Sequence, residues 1–422
     1  MIFGIAIAIF AVTYALIVSE KVHRTVVALS GAALMIILGI LTQEQAVEGV
    51  DFNTLGLLIG MMLIVGIAKH SGMFQYVALT TAKWGQGRPV KIFLLLCAVT
   101  AVFSALLDNV TTVLLIVPVA IVIAHNLNIT PKPFFIGAIL LSNLGGAATL
   151  IGDPPNILIG SAADIDFTSF LTNMGPLSLI CSATTMLLLY FWYRKQLVTT
   201  PEAQEAVMNF KPKEAITDKK LLIKSLIVIG LVLLSFFFHS WANLEPATIA
   251  MAGAALLLLL TLKDPEDHLK DVEWPTIFFF IGLFMLVAGL EHVGALELLA
   301  GKLLDATGGN PTITTLVILW GSAVASAIID NIPFVATMIP LIKDIGILSG
   351  ISLMPLWWAL AIGADIGGNA TLVGASANVI VSGMAEKEGH RISFGGFMKV
   401  AAPLTLISML IATAYVWLRY LN

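Results

Sequence analysis

Charge is what this 422-residue chain most lacks. Asp, Glu, Lys and Arg make up 11% of it, less than half the roughly 25% of an ordinary soluble domain. With 58% hydrophobic residues and a mean hydropathy of +0.97, the composition excludes a soluble globular protein and leaves little room for a separate soluble domain. A net charge of −4 is too small to imply a polyanionic partner, so nucleic acid is not expected. Cysteine is nearly missing: Cys97 and Cys181 lie in apolar runs, against a disulfide framework or a zinc site. The seven histidines (residues 23, 70, 125, 239, 268, 292 and 390) fall in loops or at predicted span ends without metal-ligand spacing, so no metal is expected. No basic residue precedes the apolar run of MIFGIAIAIFAVTYALIVSE, which therefore reads as a retained first span and not a cleaved signal.

What the chain has is long apolar runs, and a helix needs about 20 such residues to cross the hydrocarbon. Three spans are expected at Gly4–Ser19, Thr25–Leu41 and Asn53–Ala68, followed by a half-polar connector, Lys69–Val90, with a surface helix. Lys91–His125 is apolar except at Asp108-Asn109. Two full spans and a turn need more than about 40 residues, so residues 91–125 predict a re-entrant hairpin with Asp108-Asn109 at its tip. Residues 133–163 form a long span broken near Gly145–Asn156, and Phe170–Tyr193 closes the half. Basic ends (Lys21, Arg24; Lys69, Lys83; Arg194, Lys195) alternate with acidic ones (Glu44, Glu48, Asp51; Asp164, Asp166). The positive-inside rule then gives five crossings per half, extracytoplasmic termini and a cytoplasmic linker at 199–221.

The pattern recurs. SALLDNVTTVLLIVP at Ser104 and GGAATLIGDPPNILIG at Gly145 return as SAIIDNIPFVATMIP at Ser326 and GGNATLVGASANVIVS at Gly367, both 222 residues on. An odd number of crossings per repeat turns the halves upside down to one another, the arrangement that places a transport site at the bilayer midplane. The expected fold is an all-α polytopic membrane protein with about ten transmembrane helices in two inverted-topology repeats, 1–198 and 222–422. Each carries a re-entrant hairpin (91–125, 311–345) and a broken helix (133–163, 354–385).

Four carboxylates lie at membrane depth: Asp108, Asp153, Asp330 and Asp365. Each costs roughly 2.5–3.5 kcal/mol to insert, which makes it a functional candidate. Asp108 and Asp330 occupy symmetric tips, where helix ends leave free backbone groups. They hold an ion or proton, or they cap the hairpin helices, and both roles are compatible. Asn109, Asn331, Thr111 and Thr112 add neutral donors and acceptors. Gly145-Gly146 and Gly367-Gly368 let the chain leave helical geometry, with Thr149, Thr371, Asn156 and Asn378 lining the opening. Pro154-Pro155 stops helix continuation after Asp153, whereas the second half has Ala375-Ser376-Ala377, an asymmetry expected to favour ion binding in one half. Asp365 stands opposite Asn143 and exists in one half only, as a proton carrier or a locally satisfied polar group. No catalytic residue is expected.

These motifs resemble the ion transporter superfamily branch of ArsB-type arsenite permeases, the melanosomal P protein and NhaD-type sodium/proton antiporters. The GDPPN element and the DNVTT tip carry the likeness, and the repeat extends it over nearly the whole chain. The resemblance implies a scaffold domain beside a moving transport domain, frequent homodimers, and substrate and coupling-ion sites bordered by Asp108-Asn109 and Asp330-Asn331. The Ser-Asn-Thr tip signatures of related dicarboxylate carriers are absent, which counts against a succinate- or citrate-type substrate.

The compact length fits a permease of the bacterial inner membrane. The leading expectation is export of arsenite or antimonite in exchange for protons. Neutral As(OH)3 asks for hydroxyl-matching groups such as Asn109, Asn331, Thr149 and Thr371, and no cysteine trio offers thiolates. The alternative is sodium/proton antiport, with Asp, Asn and carbonyl oxygens as a sodium shell. An anion transporter or channel of the same superfamily is a further alternative, and a channel or an intramembrane aspartyl protease accounts for the duplicated hairpins less well. No cofactor is expected beyond a coupling ion, proton or sodium, and a soluble ATPase subunit is a candidate partner of the linker.

Overall fold

The computed structural model describes residues 2–19, 21–262 and 264–422, and all regular structure among them is helical. The first half contains α1 (Ile2–Ser19), α2 (Arg24–Ile37), α3 (Gln43–Glu48), α4 (Phe52–Lys69) and α5 (Met73–Trp84). It continues with α6 (Pro89–Leu106), α7 (Asn109–Asn126), α8 (Lys132–Gly146), α9 (Pro154–Ala163) and α10 (Phe167–Tyr193). A linker helix, α11 (Pro201–Met208), and a 3-10 turn at Pro212–Ala215 follow. The second half then runs α12 (Lys219–Phe238), α13 (Pro246–Thr261), α14 (Pro265–Leu269), α15 (Trp274–His292) and α16 (Ala295–Thr307). It ends with α17 (Pro311–Ile328), α18 (Asn331–Ser349), α19 (Met354–Gly367), α20 (Ser376–Lys387) and α21 (Phe394–Val416). From α2 to α9 the helices begin again at a constant offset of 222, as from Arg24 to Pro246 and from Pro154 to Ser376. The sequence repeat is thus a repeat of elements.

Local chemistry sets the boundaries. Proline opens α6, α9 and α17, where its missing N–H and fixed φ cost nothing. Asp51 caps α4 by accepting from Asn53 and Thr54 amides, and Asp166 does the same for Ser169 at α10. The second helix is shorter than the expected Thr25–Leu41. Gly39 has φ +70, and the Ile40 and Leu41 amides turn back to the Met35 carbonyl. At 14 residues, α2 is about 21 Å long, short of the roughly 30 Å hydrocarbon core. The surface helix expected in the connector is α5, which also packs on α6 and α7.

The two halves interlock by a pseudo-twofold exchange. α4 packs on α13, and α2 packs on α15. A Cβ on Gly60 would lie 2.6 Å from the Ala250 carbonyl carbon, and one on Gly282 would lie 2.7 Å from that of Ala28. Only glycine lets the backbones come this close. Within each half, α6 packs on α8 and α17 on α19. Large apolar side chains cover the outside, among them Ile37, Leu259 and Leu262, as a lipid-facing surface requires. Trp84, Trp192, Trp241, Trp274 and Trp417 are all exposed at helix ends, where aromatic belts form.

Among the described residues, ten helices are long and apolar enough to cross a membrane, and four of them are α6, α7, α17 and α18, the arms of the expected hairpins. Length alone does not separate an arm from a span. Each tip meets the interruption in the middle of a helix pair, α8–α9 or α19–α20, not its end. The linker is no loose tether either. Thr217 bonds the carbonyls of His70 and Ser71, and the Lys83 ammonium donates to the Phe210 carbonyl.

Candidate substrate and ion site

Each broken helix is fastened to its hairpin by the same bonds in both halves. Ser104 Oγ donates to the Ser142 carbonyl and Ser326 Oγ to the Ala364 carbonyl, each at 2.6 Å. Thr149 Oγ1 donates to the Ala105 carbonyl, and Thr371 Oγ1 to that of Ala327. The amide of Asn156 bonds the carbonyls of Gly146 and Thr149, as Asn378 does those of Gly368 and Thr371. These side chains satisfy backbone groups that the interruption leaves bare. A Cβ on Gly145 would lie 2.2 Å from the Ala101 carbonyl oxygen, and one on Gly367 2.4 Å from that of Ala323. Gly146 and Gly368 face Gly152 and Gly374 as closely. The glycine pairs therefore seat the hairpin arm against the break.

At the tips the halves diverge. Asp108 accepts from the Thr111 amide at 2.7 Å, capping α7. Asp330 accepts from the Ile332 amide at 3.1 Å, and its other oxygen takes Ser376 Oγ at 2.6 Å and Arg24 Nη1 at 3.1 Å. Arg24 also donates to Ser376 and lies over the Phe279 ring. The position matching Arg24 in the second half is Pro246, so Asp108 receives no equivalent cation.

The tip asparagines converge on one acid. Asn109 Nδ2 donates to Asp153 Oδ2 at 2.7 Å and to Asn143 Oδ1 at 3.1 Å. Asn331 Nδ2 reaches the same Asp153 oxygen from the other hairpin at 3.5 Å. Asn143 passes the network on, donating at 2.9 Å to both Asn369 and Asn378. Asp365, 1% exposed, lies against the Asn156 side chain, whose Oδ1 has no other partner among the described residues. The Thr112 hydroxyl is buried without a hydrogen-bond partner among them. Asp153 is within electrostatic reach of Asp365, Asp330 and Asp108.

A cavity of about 30 Å³ lies between the tips, lined by Asp108, Arg24, Glu273, Thr276, Pro154 and Ser376 among others. Arg24, Asp330 and Ser376 also wall a larger pocket of about 250 Å³. Arg24 and Ser376 line both. Five groups of this centre escaped sequence reasoning as site residues: Arg24 and Glu273 because they sit at the ends of spans, and Asn143, Ser376 and Asn369 because their partners in the other half are Asp365, Pro154 and Ala147.

A duplicated, inverted helical frame whose paired breaks enclose buried carboxylates is the architecture of a secondary transporter. The chain belongs to the CitMHS family, described as citrate transporter, which it matches over residues 14–363. It is 42% identical to the "46 kDa membrane protein" of Mycobacterium leprae, over 99% of each chain. It is also 42% identical to an uncharacterized transporter of Mycobacterium tuberculosis, over 99% of this chain and 98% of that one. The human P protein is 34% identical across 97% of this chain but 59% of its own length. Among solved structures, the Alcanivorax borkumensis YdaH transporter superposes with a TM-score of 0.64 at 16% identity, covering 93% of this chain and 96% of that one. The protein is a polytopic membrane transporter.

Proposed function

We propose that this transporter exports arsenite or antimonite in exchange for protons by alternating access. The observation that carries the reading is the charge of the centre. Five carboxylates (Asp108, Asp153, Glu273, Asp330 and Asp365) surround it, against a single guanidinium that Asp330 already engages. With its one guanidinium already engaged by Asp330, such a centre offers a free tricarboxylate no matching cation cluster and suits a small neutral hydroxide or a cation. The unpartnered Asn109 Oδ1 and Thr112 hydroxyl, with Asn331 beside them at the other tip, match hydroxyl groups of As(OH)3. Thr149 and Thr371, whose hydroxyls bond backbone, act on the frame instead.

Sodium/proton antiport is the second reading, and Asp365 favours it. A buried carboxylate beside a neutral amide is a natural holder of a proton or a small cation. Arsenite accumulation by energised everted vesicles decides between them. Uncoupler-sensitive accumulation, reduced at least about tenfold in Asp108→Asn and Asp330→Asn, is the expected result. Sodium-induced collapse of the proton gradient without arsenite uptake would replace the first reading by the second.

A further inference from the structure

A second cluster lies at the far end of α4, against the linker. His70 caps the C-terminus of α4. His268 sits in α14, and Asp271 follows it by three residues in a turn closed by the Asp271 amide on the His268 carbonyl. That turn places both side chains toward α4. His70 Nε2 is 2.8 Å from Asp271 Oδ2, and one ligand atom from each of the three residues lies within 4.8 Å of the others. The imidazole rings of His70 and His268 are 6.0 Å apart, tilted, not stacked.

The approach is built into the backbone. A Cβ on Gly66 of α4 would lie 2.5 Å from the Asp271 Cβ, so only glycine one turn before His70 admits the carboxylate. The Trp274 indole holds the turn by donating to the Leu269 carbonyl. His268 is 3% exposed, while the side chain of His70 is about half exposed, leaving one side of the cluster open. The set is two imidazoles and one carboxylate from two separate segments, with an accessible fourth position. Zinc binds such a set at about 2.0–2.2 Å, with three protein ligands and one exchangeable water, and tetrahedral edges at that radius are about 3.3 Å. The His70–Asp271 separation of 2.8 Å lies below that spacing and the outer limit of 4.8 Å above it, so side-chain rotation of up to about 1.5 Å closes the shell.

We infer that His70, His268 and Asp271 form a divalent transition-metal site, selective for zinc-like ions, that clamps the α4–α5 corner to the α13–α15 connection. The corner matters mechanically. The His70 carbonyl receives the linker through Thr217, and Gly72, at φ +80, turns the chain into α5, which packs on both arms of the first hairpin. A metal there restrains the joint through which that hairpin moves relative to α4. The site is independent of the transported substrate.

The test is zinc titration of the full-length, chelator-treated protein in detergent by calorimetry, with cobalt as a spectroscopic stand-in. Expected are one zinc per chain, a four- or five-coordinate cobalt absorption, and affinity lowered at least about 100-fold in His70→Ala and in His268→Ala, beyond the 10–100-fold that a supporting partner is worth. If His268→Ala aggregates, His70→Ala and Asp271→Asn, at more exposed positions, carry the comparison. A wild type that binds no zinc, or binding that persists within tenfold in any folded variant of the three, overturns the site.

Discussion

Arg24 is the residue at which the two halves cease to be equivalent. Its guanidinium, about one-third exposed, bonds an Asp330 carboxylate that is less so, and Ser376 completes the triangle. An exposed pair contributes about 0–1 kcal/mol, but a hydrogen bond to a charged group below the surface is worth about 1.5–3 kcal/mol. Arg24→Ala should therefore cost about 1–2 kcal/mol, read as a lower unfolding midpoint in detergent. It should also allow leak between the two pockets, seen as faster dissipation of an imposed proton gradient. Arg24→Lys keeps the charge without the fork and should fall between. An Arg24→Ala protein with unchanged stability and no leak would reduce the pair to an incidental contact. The sequence did not display this role, because a lone arginine beside a predicted span normally marks a cytoplasmic loop. Asp108, Asp330 and their asparagines were legible, since an acid repeated at the same place in two apolar runs carries an insertion cost that a purely structural chain would avoid.

Among elements, the interlock of α4 with α13 and of α2 with α15 makes a symmetric prediction. Gly60→Ala and Gly282→Ala each drive a methyl into the facing helix backbone, at 2.6 and 2.7 Å. Alanine favours helix by about 1 kcal/mol over glycine, yet overpacking costs about 1–3 kcal/mol, more where backbone must move. Both variants should lose stability by similar amounts. Gly230→Ala and Gly321→Ala have no neighbour within 4 Å and should be neutral or gain up to about 1 kcal/mol. Thermal unfolding of the four proteins checks this, and unequal losses at 60 and 282 would deny the pseudo-twofold packing. The offset of 222 made the matching of these glycines legible. It did not reveal the exchange of partners, because a repeat gives equivalence between positions and says nothing about which helix each will touch. The ends of α2 were misplaced for a local reason: an apolar run continues through Ile40-Leu41 while Gly39 has already reversed the chain.

In the whole molecule, symmetry builds the frame and asymmetry supplies the chemistry. The fastening bonds of Ser104, Thr149 and Asn156 recur in Ser326, Thr371 and Asn378. The positions around the centre differ: Asn143 faces Asp365 across the repeat, and Asp153 faces Ala375. Exchanging one such pair tests whether charge or hydrogen bonding decides the arrangement. Asn143→Asp with Asp365→Asn preserves net charge and volume. Yet Asn143 uses its amide to donate to Asn369 and Asn378 and its oxygen to accept from Asn109, and a carboxylate cannot donate when ionised. Two buried amide oxygens would lose their donor, at about 1–3 kcal/mol each. The double variant should therefore fail to transport and should be less stable than Asp365→Asn alone. Recovery of proton-coupled transport in the exchanged protein would mean that the centre depends only on total charge, and that the amide chain across the two repeats is dispensable.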